Sequence, residues 1–271
     1  MGTQYVASLS YGKDSIAMLH VITEVLKKPL TRIVTAEVWA NDSIPAELPP
    51  MVEFKDKADR IIKERFGIEV EHFTAVYKDG RKKTYDSVFH QVYRSGNWTG
   101  RIYGFPMVKG QWCNKLKTEA IKLAEKSQEG DCVSYVGIAA DEKERVTRHS
   151  KSKRFEMPLV EAGWTEAMCR QWCVENDLLS PQYQTSARGG CWFCHFQGID
   201  QLRKLRHNYP ELWGMMLQWD NESQRVFRTD GRTIHDLDKR FQLEDEGYML
   251  MAAKFKWEML DAAQMNIMQF L

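Results

Sequence analysis

The stretch that most restricts how this chain can fold is Ser10-Tyr11-Gly12-Lys13-Asp14-Ser15. A short apolar run with strand character, Tyr5–Leu9, precedes it. Ile16–Ile22 follows as an apolar helical run that turns polar at Glu24. Strand, tight polar turn and helix together form a receptor for an anion. The first backbone N–H groups of a helix have no partner within the helix, and the aligned peptide dipoles add partial positive charge there. Gly12 lets the backbone approach a ligand, Lys13 adds a charge, and the hydroxyls of Ser10 and Ser15 add donors. The stretch is not a Walker A loop, because Gly-x-x-x-x-Gly-Lys-Ser/Thr is absent. A capped helix start would account for Gly-Lys-Asp alone. All six positions, directly behind the first strand, point to nucleotide phosphate.

The following segments supply the rest of a sheet. Thr31–Trp39 alternates and is β-branched, which predicts a second strand. The polar, proline-containing stretch 41–50 lies at its C-terminal end, the side of an open parallel sheet where ligands sit. Val52–Phe66 has helical periodicity and stops at Gly67, and Ile68–Phe73 reads as a third strand. Strand–helix–strand–helix–strand in this order argues for a right-handed α/β sheet. Cys132–Ala139 reads as a fourth strand and Met157–Val160 as a short last one. A helix is predicted from about Trp112 to Lys126 and another from Trp164 to Glu175, with Thr165 as its N-cap. Tyr77–Gln111 mixes aromatics, glycines and arginines and reads as either a substrate lid or a surface insertion. Ile199–Arg206, Tyr209–Trp219 and Leu237–Met265 look helical, with Arg228–Arg232 as a turn.

The expected fold class is therefore α/β: a Rossmann-like parallel sheet flanked by helices, with a helical C-terminal extension. The expected division is residues 1–197, the nucleotide-binding domain with a cysteine-rich metal site, and residues 198–271, the extension. The 271 residues carry a formal charge of +1, so there is no global electrostatic case for nucleic acid or membrane. No apolar run approaches the ~20 residues of a transmembrane helix, and the N-terminus enters a strand almost at once, leaving no room for a signal peptide. The expectation is a cytoplasmic protein with reduced thiols, in which cysteines serve metal or redox chemistry.

The hexapeptide resembles the PP-loop of the ATP-pyrophosphatase superfamily, in the Ser-x-Gly-Lys-Asp-Ser form of its PAPS reductase-like (sulfonucleotide reductase-like) branch. Gly137-Ile138-Ala139-Ala140-Asp141-Glu142, followed by Arg145, resembles the Gly-Ile-x-x-Asp-Glu-x-x-x-Arg stretch of that branch. The order Pro158-Leu159, Trp164, helix, Pro181, Tyr183, then Arg188-Gly189-Gly190-Cys191-Trp192-Phe193-Cys194 also follows the branch. The likeness runs from Tyr5 to about Phe196. It implies an adenine nucleotide α-hydrolase-like fold that binds ATP, APS or PAPS, with Ser10, Tyr11, Gly12, Lys13, Asp14, Ser15, Asp141 and Glu142 as nucleotide-binding residues. Lys13, Asp14, Arg145 and Arg188 are then the catalytic set. Asp14 and Asp141 or Glu142 would hold Mg²⁺, and Lys13, Arg145 and Arg188 would neutralise charge building on the α-phosphate and pyrophosphate.

Six cysteines are present. Cys132 begins an apolar strand, and Cys169 and Cys173 share a helix face, so core packing is the reading for all three. Cys191 and Cys194 form a Cys-x-x-Cys pair able to clasp one metal, and Cys113 is the natural third ligand. Iron–sulfur members of the branch hold [4Fe–4S] with a tandem cysteine pair and a Cys-x-x-Cys pair, but here Trp112 replaces the first cysteine of the tandem. Three outcomes stay open: an open cluster on Cys113, Cys191 and Cys194, a Zn²⁺ site closed by His195 or another residue, or uncoordinated thiols.

Sulfonucleotide reductases carry their nucleophilic thiol on a C-terminal tail, whereas this chain has no cysteine after Cys194. The expected activity is therefore cleavage of ATP at the α-phosphate to adenylate an acceptor, with sulfur transfer to follow if a cluster exists. Expected partners are a nucleotide, a sulfur donor protein, a nucleic acid acceptor met by the basic stretches Lys78–Lys83 and Lys143–Arg154, and a second copy in a homodimer; no membrane is expected. The rivals are a reductase that uses Cys191 or Cys194 instead, and a non-catalytic nucleotide-binding accessory protein of a phage or defence system.

Overall fold

The structure, a computed structural model, describes residues 2–106, 111–128, 130–150, 155–185, 190–248 and 251. By its internal packing the chain falls into two compact units, and each is discontinuous. Residues 1–85 and 114–190 form the first, and residues 86–113 and 191–271 form the second. The segment 86–113 and the Cys-x-x-Cys stretch therefore group with the C-terminal helices.

The first unit is built on five parallel strands in the order β3-β2-β1-β4-β5. They are β1 (Gln4–Ser8), β2 (Arg32–Glu37), β3 (Val70–Thr74), β4 (Cys132–Val136) and β5 (Phe155–Glu156). Alternate residues of a strand face opposite sides of a sheet. On one side Ala7, Ile33 and Tyr135 pack with α1 (Lys13–His20), α2 (Pro49–Phe66) and α7 (Glu166–Glu175) through Ile16, Ala17, Phe54, Ala58, Ile62, Cys169 and Trp172. On the other, Val6 and Val34 meet Ala124 of α4 (Cys113–Lys126). Helices α1 and α2 thus cover one face as the chain steps from β1 to β2 to β3. The chain then returns to the far side of β1 to lay down β4. That reversal is a topological switch point, and it opens a crevice beyond the C-terminal ends of β1 and β4.

Local chemistry explains the helix ends. Helix α2 begins with Pro49 and Pro50, whose missing N–H groups cost nothing in a first turn, and it stops at Gly67, which adopts a left-handed φ of 71°. Thr165 caps α7 by accepting from the Met168 N–H at 3.3 Å, as expected. After α1 the chain makes one wider π-type turn, Val21–Val25, and then enters β2.

Two expectations are corrected here. Met157–Val160 is not a strand: Pro158 opens the short helix α6 (Pro158–Glu161), since proline cannot donate to a ladder but suits a first helical turn. The last strand is Phe155–Glu156 instead, paired with Ser134 and Tyr135. The sequence also leaves the basic stretch Lys143–Arg154 as a solvated loop by default; its first part is instead the exposed helix α5 (Lys143–His149), and residues 151–154 lie outside the described residues.

In the second unit, the residues from Asp86 to Phe89 of the short helix α3 (Tyr85–Phe89) lead into a hairpin over 91–103. The turn α8 (Gln182–Thr185) closes the first unit. Helices α9 (Ile199–Asn208), α10 (Pro210–Glu222) and α11 (Ile234–Asp245) follow in the second. The far part of the helix expected to Met265 lies outside the described residues. The second unit's core is aromatic: Trp192 stacks on Trp219 and Phe193 meets both edge-on, beside Phe89 and Phe105. Among the described residues, no helix is long and apolar enough to cross a membrane.

Candidate nucleotide site and the cysteine turn

The Ser10–Ser15 stretch lies where β1 runs into α1, at the switch point. Gly12 takes the N-cap position with extended backbone (φ −78°, ψ 154°) and has no side chain to cap with. The first-turn N–H groups are thus left to outside acceptors. Tyr11 adopts a left-handed φ of 55°, an uncommon conformation for a tyrosine. What holds it is its side chain, which is buried and donates from its hydroxyl to Asp59 Oδ1 at 2.6 Å. Tyr11 was expected among the nucleotide-binding residues. Its ring points into the core, which leaves only its backbone to a ligand.

The serines tie the loop together. Ser15 Oγ accepts from the Ser10 N–H at 3.1 Å, lies 3.1 Å from Ser10 Oγ and donates to the Gly12 carbonyl at 3.0 Å. Gly137, just past β4, lies against the same turn. A Cβ there would sit 2.8 Å from Ser15 Cα and 2.9 Å from Ser15 N, so only glycine lets the two strand ends close up this far.

Lys13 is nearly buried, and its ammonium bonds both Asp14 carboxylate oxygens (2.8 and 2.9 Å) and Glu166 Oε1 (2.8 Å). Burial alone would lower the Lys13 pKa, but the two carboxylates outweigh it and hold it above the ordinary lysine range. Burial pushes the Asp14 carboxyl above its usual range; Lys13 opposes this, while Glu166 and Glu142 add to it. Three carboxylates and one ammonium thus share the mouth of the crevice. The Lys13 N–H donates to the phenol oxygen of Tyr183 at 3.1 Å, and a Cβ on Gly12 would lie 3.2 Å from that same oxygen. Tyr183 and Glu166 were not singled out from the sequence as site residues. Only the position of Tyr183 in the ordered resemblance carried any signal, and Glu166 carried none.

The other predicted site residues have mainly local partners. Asp141 accepts from the Glu166 N–H at 2.9 Å and so fixes the start of α7. Glu142 accepts from the Ala139 N–H at 3.1 Å and pairs with Arg145 at 2.5 Å. These bonds shape the 137–145 turn beside the loop, and Arg145 stays half exposed. Arg188 lies outside the described residues.

A second ionic network backs the loop. His72 on β3 bridges Glu37 (2.8 Å) and Asp59 (2.9 Å), and Lys55 on α2 bonds Glu37 at 2.9 Å. The Asp59 and Glu37 carboxylates raise the His72 pKa to about 9. Burial would raise Glu37, but His72 and Lys55 bring it down to about 2.

The cysteines form no comparable cluster. Cys169 and Cys173 are buried, as expected, and burial pushes both thiols up to about 12. Cys173 Sγ donates to the Lys13 carbonyl at 3.3 Å and so packs under the Ser10–Ser15 loop. Cys191 and Cys194 sit in a turn closed by the Cys194 N–H on the Cys191 carbonyl at 3.1 Å. His195 is buried, and burial followed by the Arg228 charge lowers its pKa. Among the described residues, no three His, Cys, Asp or Glu side chains converge as a metal centre.

No family model matches the chain, and no solved structure is similar to it. It is 22% identical over 227 residues to an uncharacterized protein of Methanocaldococcus jannaschii; the match covers 78% of this chain and 45% of that relative. The chain thus spans less than half the length of the relative it matches.

Proposed function

We propose that this chain binds ATP with its phosphates over Ser10–Ser15 and cleaves it between the α- and β-phosphates, transferring the adenylyl group to an acceptor. One observation carries the reading: a side-chain-free N-cap, Gly12, opens helix α1 at the switch point, with the Lys13 ammonium beside it. The phenol oxygen of Tyr183 marks a place a phosphate oxygen can take, since it already accepts a bond from a first-turn N–H. On binding, Lys13 exchanges carboxylate partners for phosphate oxygens. Asp14, released, joins Glu166 and Glu142 as the oxygen donors suited to Mg²⁺, a hard cation that neutralises phosphate charge when bound. The acceptor oxygen attacks the α-phosphorus, the bond to the bridging oxygen breaks, and pyrophosphate leaves with the electron pair. Arg145, and Arg188 if it approaches, counters the growing negative charge. No sulfur-transfer step is assigned to the cysteines.

The test is calorimetric binding of ATP, APS and PAPS with Mg²⁺, combined with ATP–pyrophosphate exchange. ATP binding lost in Lys13→Ala, together with exchange, supports the proposal. Sulfite release from APS or PAPS would replace it with a reductase. Tight binding without exchange for any acceptor would replace it with an accessory role.

A further inference from the structure

The second unit carries a cationic, aromatic surface unrelated to the phosphate loop. The hairpin over 91–103 is pinned by the Tyr93 N–H on the Arg101 carbonyl (2.9 Å), the Tyr103 N–H on the Gln91 carbonyl (2.8 Å) and a bridge between Val92 and Ile102. Gly96 and Gly100, both at φ 82°, turn the chain. Its half-buried rings stack on guanidinium groups. Tyr93 and Tyr103 lie 4.4 Å apart, and Arg225 sits 4.6 Å from the Trp98 ring centre and 5.3 Å from that of Tyr93. Arg101 lies 5.2 Å from the Trp98 ring centre.

Residues 90–103 include Arg94 and Arg101 and no Asp or Glu. Among the described residues, Arg94, Arg101 and Arg225 have no carboxylate partner. By contrast Arg32, Arg65, Arg81, Arg145, Arg203, Arg206, Arg228 and Arg240 each pair with one, whereas Arg60, Arg148 and Arg170, on helices of the first unit, also have none among the described residues. Arg225 is held by the Tyr93 hydroxyl (2.8 Å) and the ring faces, and its Nε is buried with no acceptor. Arginines kept on ring faces without carboxylates retain their charge for an outside anion. Rings at that surface add area on which flat groups stack.

We infer that the hairpin 91–103, with Arg225, is a docking surface for single-stranded nucleic acid. The arginines would meet backbone phosphates and the exposed parts of Trp98, Tyr93 and Tyr103 would meet bases. Charge complementarity favours a polyanion, and the aromatic ladder favours one that carries stackable rings. The inference does not depend on how the phosphate loop is used, because its readout is binding alone.

The test is fluorescence anisotropy of the full chain with a fluorescein-labelled dodecathymidylate at two salt concentrations. The expected result is binding that weakens steeply with salt, falls about tenfold or more in Trp98→Ala, and falls with a shallower salt dependence in Arg94→Glu and Arg101→Glu. Arg94 and Arg101 are exposed, so these two variants leave folding intact. Unchanged binding in all three variants, or no binding at low salt, overturns the inference. So does equal competition by polyglutamate with no effect of Trp98→Ala, which would mark a surface for an acidic protein.

Discussion

The Ser10–Ser15 loop and the cysteine turn are both short motifs legible in the sequence, yet they differ in how far apart their parts lie along the chain. Ser10–Ser15 is contiguous, and the strand and helix that flank it set its geometry. Its outside supports, Gly137 and Tyr183, arrive from the same compact unit. The cysteine set depends on bringing Cys113 to Cys191 and Cys194 from far along the chain, and among the described residues no group of three His, Cys, Asp or Glu side chains able to hold a metal is found. A motif that is one turn of backbone needs only its own elements to form. One that needs three separated side chains on a single point needs the whole unit to supply them.

The largest expected effect breaks the loop's half of this contrast. Lys13→Ala removes the ammonium that bonds Asp14 and Glu166. ATP affinity is expected to fall by about two orders of magnitude, or ~3 kcal/mol, since charge-assisted bonds to a partly buried anion are among the stronger ones. Calorimetry reads the change, and an unaltered affinity would put the nucleotide elsewhere. Next is Gly137→Ala, whose methyl group must push the Ser15 backbone away. A loss of about 2–3 kcal/mol in denaturant unfolding is expected; a neutral result would mean the strand ends separate without cost.

The His72 network gives a smaller, pH-dependent effect. A histidine raised from 6.5 to about 9 stabilises the fold fully below pH 6.5 and loses that contribution as pH rises through about 9. Glu37, lowered from 4.5 to about 2, contributes fully above pH 4.5 and loses it as pH falls through about 2. Both act together between pH 4.5 and 6.5. His72→Gln should cost about 1–2 kcal/mol at pH 6, after allowance for solvent screening, and much less above pH 9.5. A pH-independent cost would make His72 a packing residue only.

The smallest effect belongs to the cysteine turn. Cys191→Ser is expected to shift stability by no more than about 0.5 kcal/mol. Metal analysis after anaerobic purification should find well below one iron or zinc per chain. Four irons or one zinc, lost in Cys191→Ser, would show that the thiols gather in the loaded protein and would erase the contrast with the loop.

Legibility followed the range of the interactions. The helix from Cys113 to Lys126, the Gly67 stop, the Thr165 cap and the buried Cys169 and Cys173 all rest on neighbours within a turn or two, and all were readable. The same local logic misread Met157–Val160, where apolar and β-branched residues outweighed the signal from Pro158. The inward turn of Tyr11 was not readable, because Asp59 and His72, which hold its hydroxyl, lie on other elements.

By itself the sequence determined the α/β class and the strand–loop–helix that opens the chain, because periodicity and turn chemistry act over a few residues. Only the tertiary structure decided the strand order that makes β1 and β4 a switch point. It alone placed Tyr183 on the Lys13 N–H and Glu166 on its ammonium, and grouped 86–113 with the C-terminal helices. Each of those depends on pairings between residues far apart in sequence, whose geometry exists only once the sheet and the two cores have closed.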